Sequence, residues 1–201
     1  MAQAFDHLVV AARSLEEGAA WVAARTGVAP GPGGKHEQMG THNRLMSLGP
    51  GRFLEVIAID PQAPRPPHPR WFELDTAAMQ ARLARGPALI HWVERTDGLE
   101  AALRAYPPGL EIRPFHRGTY RWRMALMPDG SFPGAGALPT LIQWDGAHPA
   151  DAMAESGCRL LRFTHENGAL EAVFSTPGGE RTMTGGGIAA AGGCLPSISH
   201  P

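Results

Sequence analysis

Apolar positions in this chain come mainly as short runs separated by turn-forming residues, with only brief stretches at helical spacing. The first run, Phe5–Ala12, is apolar and partly β-branched, as a buried strand requires. Ser14 follows as a helix N-cap, and Glu17 three residues later completes a capping-box pattern. Leu15, Ala19, Val22 and Ala23 then recur at helical spacing until Gly27 stops the helix. Beyond a Gly/Pro loop at Pro30–Gly34, Thr41–Leu48 and Arg52–Asp60 read as strands joined by the turn Gly49-Pro50-Gly51. The Pro-rich stretch Pro61–Pro69 reads as an extended linker. Trp71–Arg85 predicts a connecting helix, capped near Asp75 and ended by Gly86-Pro87.

The same order then begins again. Ala88–Arg95 reads as a strand, and Asp97 with Glu100 caps a helix whose apolar face is Leu99, Ala102, Leu103 and Tyr106. Glu111–His116, Thr119–Met127 and Leu138–Trp144 follow as strands. His7 lies eight positions before Leu15-Glu16, and His91 lies eight before Leu99-Glu100. Arg44–Gly51 parallels Arg123–Gly130 without a gap, after which the second copy carries a longer loop, Ser131–Pro139. Agreement in element order, caps and hairpin predicts a duplication. The expected fold is α+β: two tandem βαβββ modules, about residues 4–60 and 88–146, forming a cupped mixed sheet around a central cavity. A linking helix at about 70–86 joins them in a domain spanning 4–149. Residues 150–184 add a β sub-element with strands at Arg159–Thr164 and Leu170–Ser175, and 185–201 form a Gly/Ala-rich tail.

Composition narrows the partners. The formal net charge of −1 leaves no broad basic face, which argues against nucleic acid. No run of about 18 uninterrupted apolar residues is present, so no membrane partner is expected, and the first residues lack the pattern of a signal peptide. A cytoplasmic protein is the expectation. Cys158 and Cys194 make neither a disulfide framework nor a zinc-finger spacing.

Four polar residues interrupt otherwise apolar strands: His7, Glu55, His91 and Gln143. Burying an ionised carboxylate without a partner costs several kcal/mol, so Glu55 points to a cation, a hydrogen-bonding cluster or a water-filled cavity. If the repeats pair about a pseudo-twofold axis, two imidazoles and a carboxylate face one another, a set suited to Zn, Ni, Co, Mn or Fe(II). The competing reading makes His7 and His91 core histidines bonded to their neighbours, and pairs Glu55 with Arg44 or Arg123. In Tyr120-Arg121-Trp122-Arg123 a guanidinium could clamp a carboxylate or phosphate, or the segment could be an exposed strand face. Trp92 and Trp144 are expected on the far side of the sheet, against helices. His36, His116, His148 and His165 sit in loops or at strand ends and are expected to be solvated.

The repeated plan, with the Asp-His-Leu-Val opening, the Gly40-Thr-His-Asn43 segment and Phe53-Leu-Glu-Val-Ile57, resembles the vicinal oxygen chelate superfamily, in its glyoxalase-like domain branch. The resemblance covers roughly residues 4–176. It implies that ligands for a divalent metal come from the first and last strands of each half: His7, Glu55 and His91, with Gln143 in the fourth slot. A carboxamide cannot accept a proton at neutral pH, so Gln143 departs from the glyoxalase I pattern and is expected as a pocket wall beside His42, Asn43 and Arg121. The implied activity is that of a metal-dependent lyase/isomerase or dioxygenase-type enzyme acting on a small oxygen-rich metabolite. The alternative is a metal-free binding protein of the same fold. Homodimerisation is implied by the resemblance alone.

Overall fold

The structure, a computed structural model, describes residues 3–166, 168–186 and 198–200. The first half of the chain gives β1 (Ala4–Ala11), helix α1 (Leu15–Thr26), β2 (Lys35–His36), β3 (Thr41–Ser47) and β4 (Phe53–Ile59). After a short helix α2 (Ala77–Leu83) the second half gives β5 (Ala88–Arg95), α3 (Leu99–Ala102), β6 (Glu111–Arg117), β7 (Tyr120–Leu126) and β8 (Thr140–Trp144). These strands make one mixed sheet in the order β2-β3-β4-β1-β5-β8-β7-β6. β1 and β5 run antiparallel down its middle, and each has a parallel neighbour from its own half, β4 and β8. The expected α+β fold, a cupped mixed sheet of βαβββ units, is present.

The sheet curls until its two edges are bridged. Gln38 accepts from the His116 N–H at 3.1 Å and donates to the Pro114 carbonyl at 3.3 Å. Arg117 Nη1 reaches His36 Nε2 at 3.2 Å. Edge groups that would otherwise template pairing with another chain are thus partly covered. The first half contributes an outer strand of only two residues, because the Gly/Pro loop before Lys35 takes the place of the rest.

Alternation along the strands sorts the chain into two faces. In β1, His7, Val9 and Ala11 face the hollow, while Leu8 and Val10 face outwards into a second core. That outer core packs α1 and a second sheet against the back of the first. The second sheet has the order β11 (Gly179–Gly186), β10 (Ala169–Thr176), β9 (Arg159–Glu166) and β12 (Ile198–His200). Trp92, Phe163 and Phe174 are fully buried between the two sheets. Each side chain of this size contributes about 1.5–3 kcal/mol by leaving water. The appended strands therefore back the cupped sheet and leave its mouth free. Most of the Gly/Ala-rich tail lies outside the described residues.

α1 forms as its caps dictate. Ser14 Oγ accepts the Glu17 N–H at 3.2 Å, and Gly27, with φ 75°, returns its N–H to the Ala23 carbonyl. Gly18 lets this helix lie directly on β4, since a Cβ there would stand 2.4 Å from Val56 Cγ1.

The linking helix is shorter than the sequence pattern implies. α2 starts at Ala77, with Thr76 Oγ1 accepting the Met79 N–H. Asp75 instead holds Arg70 by its backbone N–H and its guanidinium. Trp71 and Phe72 leave the helix to turn into the hollow, and Phe72 and Glu73 take left-handed backbone angles (φ 59° and 56°) to do so. Such angles cost on the order of 1–3 kcal/mol each, which the burial of two large rings offsets. Among the described residues, no helix is long and apolar enough to cross a membrane.

Candidate functional site

The hollow of the sheet holds a narrow cleft with about 410 Å³ of empty space, counting the part open to solvent. One wall is polar. Glu55, in the middle of β4, is only 6% exposed. Its Oε1 accepts a 2.7 Å hydrogen bond from Asn43 Nδ2 on β3. Asn43 cannot turn its amide over, because its Oδ1 accepts from the Gly34 N–H and from Arg117 Nη1, both at 2.9 Å. Arg117 comes from the end of β6, across the cleft mouth. Its other contact, His36, is buried and bonded through Nδ1 to Thr41 Oγ1 at 3.1 Å. Burial, with the Arg117 guanidinium adding to it, pushes the His36 pKa down to about 3. The ring is therefore neutral and offers Nε2 as an acceptor.

His7 completes this wall. Its Nδ1 lies 2.6 Å from Asp6 Oδ1, and its ring stacks on Phe53 at 4.4 Å between centroids. Asp6 is fully buried and also accepts from His148 Nε2 at 2.9 Å and Trp144 Nε1 at 3.0 Å. Burial alone would raise the Asp6 pKa. The hydrogen bonds from His148 and His7 outweigh it and hold the carboxyl well below the usual carboxylate range. This anion fixes the tautomer of His7: Nδ1–H donates to Asp6, and Nε2 is left facing the cleft. There it lies 3.8 Å from Glu55 Oε2, too far for a hydrogen bond and close enough for both to reach one bound atom.

The rest of the lining is largely aromatic, formed chiefly by Trp71, Phe72, Trp122 and Trp144. Trp71 is 3% exposed, and its indole N–H has no hydrogen-bond partner among the described residues. A buried donor left unpaired costs roughly 1–3 kcal/mol, so an acceptor placed against this N–H is favoured.

Comparison with known proteins settles the family. The model of the glyoxalase-like domain matches residues 5–177. The chain belongs to the glyoxalase-like domain family. Among solved structures, this glyoxalase-like protein is similar to a hypothetical protein from Staphylococcus aureus, at 13% identity over 93% of this chain and 86% of the other, with a TM-score of 0.53. That likeness concerns the fold. It also resembles methylmalonyl-CoA epimerase from Mycobacterium tuberculosis at 17% identity, covering 74% of this chain and 91% of the other, with a TM-score of 0.44. A curated relative, salivary protein TRIO of Anopheles gambiae, is 41% identical over 59 residues. The match spans 28% of this chain and 15% of that protein.

The family's implied ligand set is not gathered in this glyoxalase-like chain. His7 and Glu55 meet, as described. His91 lies on the same face of the sheet but behind the aromatic wall, against Phe72 and Phe132, and does not line the cleft. Its Nε2 accepts the Thr140 N–H at 3.1 Å and lies 3.0 Å from Thr140 Oγ1. Burial pushes its pKa down to about 3. Strand register explains the pairing. His7 is two residues before Val9, which sits opposite Glu55; His91 is two before Val93, which sits opposite Thr140. The repeat mate of Glu55 is thus Thr140, and the second half-site is closed on itself. Among the described residues no group of three His, Cys, Asp or Glu side chains is placed to hold a metal ion. His7 with Glu55 supplies two donors of the three or four such an ion needs, and Arg117 already holds a positive charge beside them. The donor set His7, Glu55 and His91 does not fit a shared ion. Chelator-treated protein titrated with Zn, Ni, Co, Mn or Fe(II) is expected to show no stoichiometric site at micromolar concentration by calorimetry. A tight site abolished by both His7→Ala and His91→Ala would overturn this.

The expected pocket residues divide. Asn43 lines the cleft, and its neighbour His42 faces the helix side, near Glu16. Arg121 is exposed and bonds the Gly118 and Tyr120 carbonyls. Gln143 also faces the helix side: its Oε1 accepts the Leu99 N–H at 3.1 Å and Arg123 Nη2 at 2.9 Å. It serves α3 as the cap that Asp97 was expected to provide; the residue that precedes the helix is Gly98, which has no side chain to cap it. Gln143→Ala is expected to lower stability by about 1 kcal/mol in urea unfolding without weakening ligand binding. A loss of binding at unchanged stability would return Gln143 to the pocket.

The parity of β8 also places Trp144 in the cleft, where the far side was expected; Trp92 does face away, against the second sheet. Of the four histidines expected in solvent, only His116 is exposed; His36 and His165 are buried and His148 is half-buried. Arg44 and Arg123 lie on the helix side, and the arginine that serves Glu55 is Arg117. His36 is a site residue where a solvated one was expected, and Asp6 and Arg117 join the site without having been expected there. Asp6 had a signal, as a second charge in the same apolar strand as His7.

Proposed function

We propose that the cleft binds a small oxygen-rich metabolite bearing a carboxylate, and that Glu55 moves a proton at the carbon next to its carbonyl group. The reaction is of the lyase/isomerase type. One arrangement carries this reading: Glu55 Oε2 and His7 Nε2 face the same space 3.8 Å apart, each fixed from behind, by Asn43 and by Asp6. A carboxylate held in this way takes the proton as the C–H bond breaks, and the electron pair moves to the carbonyl oxygen. Arg117 supplies the positive charge for the enolate that results, in a cleft lined largely by aromatic rings. The proton then returns from the Glu55 carboxyl to the carbon or to the enolate oxygen, and His7, with Nδ1–H committed to Asp6, keeps its Nε2 lone pair turned to the same space as an acceptor.

The aromatic wall supports a second reading, a protein that sequesters flat ligands without chemistry. Proton NMR in deuterated buffer separates the two. With pyruvate, 2-oxobutanoate and acetoacetate as probes, enzyme-dependent exchange of the α-protons above the buffer rate is the expected result. Saturable binding of these acids with no added exchange would leave only the sequestering reading.

A further inference from the structure

The inner cleft is not a closed chamber. Leu45, Arg117 and Pro149 line both it and a neighbouring trough with about 1260 Å³ of empty space, again counting the open part. The trough runs between the loop Val28–Gly33 and the segment Ala152–Ser156, and its lining is mostly small and apolar. Among the described lining residues Arg117 is the single cation. The single carboxylate among them, Glu155, is already paired with Arg159. Arg117 therefore stands at the junction of the two spaces. Beside it, against His36, is Trp71, whose ring lies 5.1 Å from the imidazole and whose buried N–H lacks a partner among the described residues.

We propose that the natural ligand gathers its oxygens at one end, as a 2-oxo monocarboxylic acid, and extends that end with an uncharged apolar tail. Its carboxylate is held at the junction by Arg117 and the Trp71 N–H, and its tail lies along the trough. The chemistry of the lining sets both limits. A guanidinium and an indole N–H are two donors suited to one carboxylate. A tail carrying phosphates or a second carboxylate would meet no further cation among the described lining residues and would lie near Glu155, whose carboxylate already occupies Arg159. The trough selects against nucleotide-bearing tails and rewards methylene groups. This inference rests on the proposal that the cleft is the binding site, and it adds the shape and charge of what binds there.

Calorimetric titration with pyruvate, 2-oxohexanoate, 2-oxooctanoate and 2-oxooctanedioate tests it, since affinity can be read without turnover. Affinity is expected to rise about threefold to fourfold per methylene along the monoacids. The diacid should bind at least tenfold more weakly than 2-oxooctanoate. Ala29→Trp and Ala154→Trp, at exposed positions on the two banks, should bring the ratio of 2-oxooctanoate to pyruvate affinity down towards one. Trp71→Phe keeps the ring and removes the donor, and should weaken every acid about tenfold. Thermal unfolding of each variant verifies that it is folded. Affinity independent of chain length, or a diacid that binds as well as the monoacid, would overturn the proposal. α-Proton exchange without length dependence sinks this inference alone; length dependence without exchange sinks only the reaction. Should no acid bind, both fall.

Discussion

Glu55→Gln is expected to lower α-proton exchange by about 10²- to 10⁴-fold, the range over which a positioned general base contributes. The substitution is close to isosteric, and its surroundings decide which way the new amide turns. Asn43 has its Oδ1 fixed by Gly34 and Arg117, so it can only donate towards residue 55, and the carbonyl of the glutamine must take the Oε1 position. The NH₂ group then stands where Oε2 faced His7, and it has no lone pair for a proton. Removing a negative charge near the carboxylate site should not weaken ligand binding. The expected signature is a fall in kcat with no rise in KM. An equal fall in affinity and rate, or full retention of exchange, would show that Glu55 only shapes the cleft.

The second large effect is on acid stability. His36 and His91 are both buried, and each titrates at about 3 in the folded protein against an ordinary value near 6.5. Between those values the unfolded chain binds one more proton per histidine, so stability falls as the pH is lowered through this window. Each contributes a little over 1 kcal/mol per pH unit, about 2–3 kcal/mol per unit for the two. His165, also shifted down by burial, acts in the same direction. Asp6 adds its share lower still: its folded pKa is depressed, so its contribution is complete above the ordinary carboxylate value and is lost as the pH falls below it. Two units of acidification would remove about 5 kcal/mol, comparable to the whole stability of many domains. Urea midpoints should therefore drop steeply between pH 6.5 and 4.5. His91→Gln, whose carbonyl can still accept the Thr140 N–H, should remove about half of the slope. A midpoint unchanged from pH 7 to 5 would show that these rings are protonated in the folded state.

The duplicated fold was legible because it is written in local terms. Ser14 and Gly27 set the ends of α1, the hairpin residues set β3 with β4 and β7 with β8, and alternation in β1 and β4 puts His7 and Glu55 on one face. Where the local signal was weak, the reading slipped. β8 emerges from a loop at Thr140, and one residue of parity exchanges Gln143 for Trp144 in the cleft. Trp71 and Phe72 carry a helical pattern, yet they leave the helix because the hollow of the sheet gains two rings when they turn inwards.

Local sequence signals are enough to set the two βαβββ units, the caps of the first helix, and a histidine and a carboxylate facing inwards on neighbouring strands. What surrounds that pair is a matter of tertiary structure. The two hairpin loops differ in length, so no gapless alignment shows that His36 and Arg117 occupy matching edge positions, and only the curl of the sheet brings them to 3.2 Å. Register, which depends on how β5 and β8 dock, made Thr140 the mate of Glu55 and closed His91 against it. A metal site suggested by four strand positions thereby became an inner pair, His7 and Glu55, flanked by an arginine that sequence spacing could not place beside them.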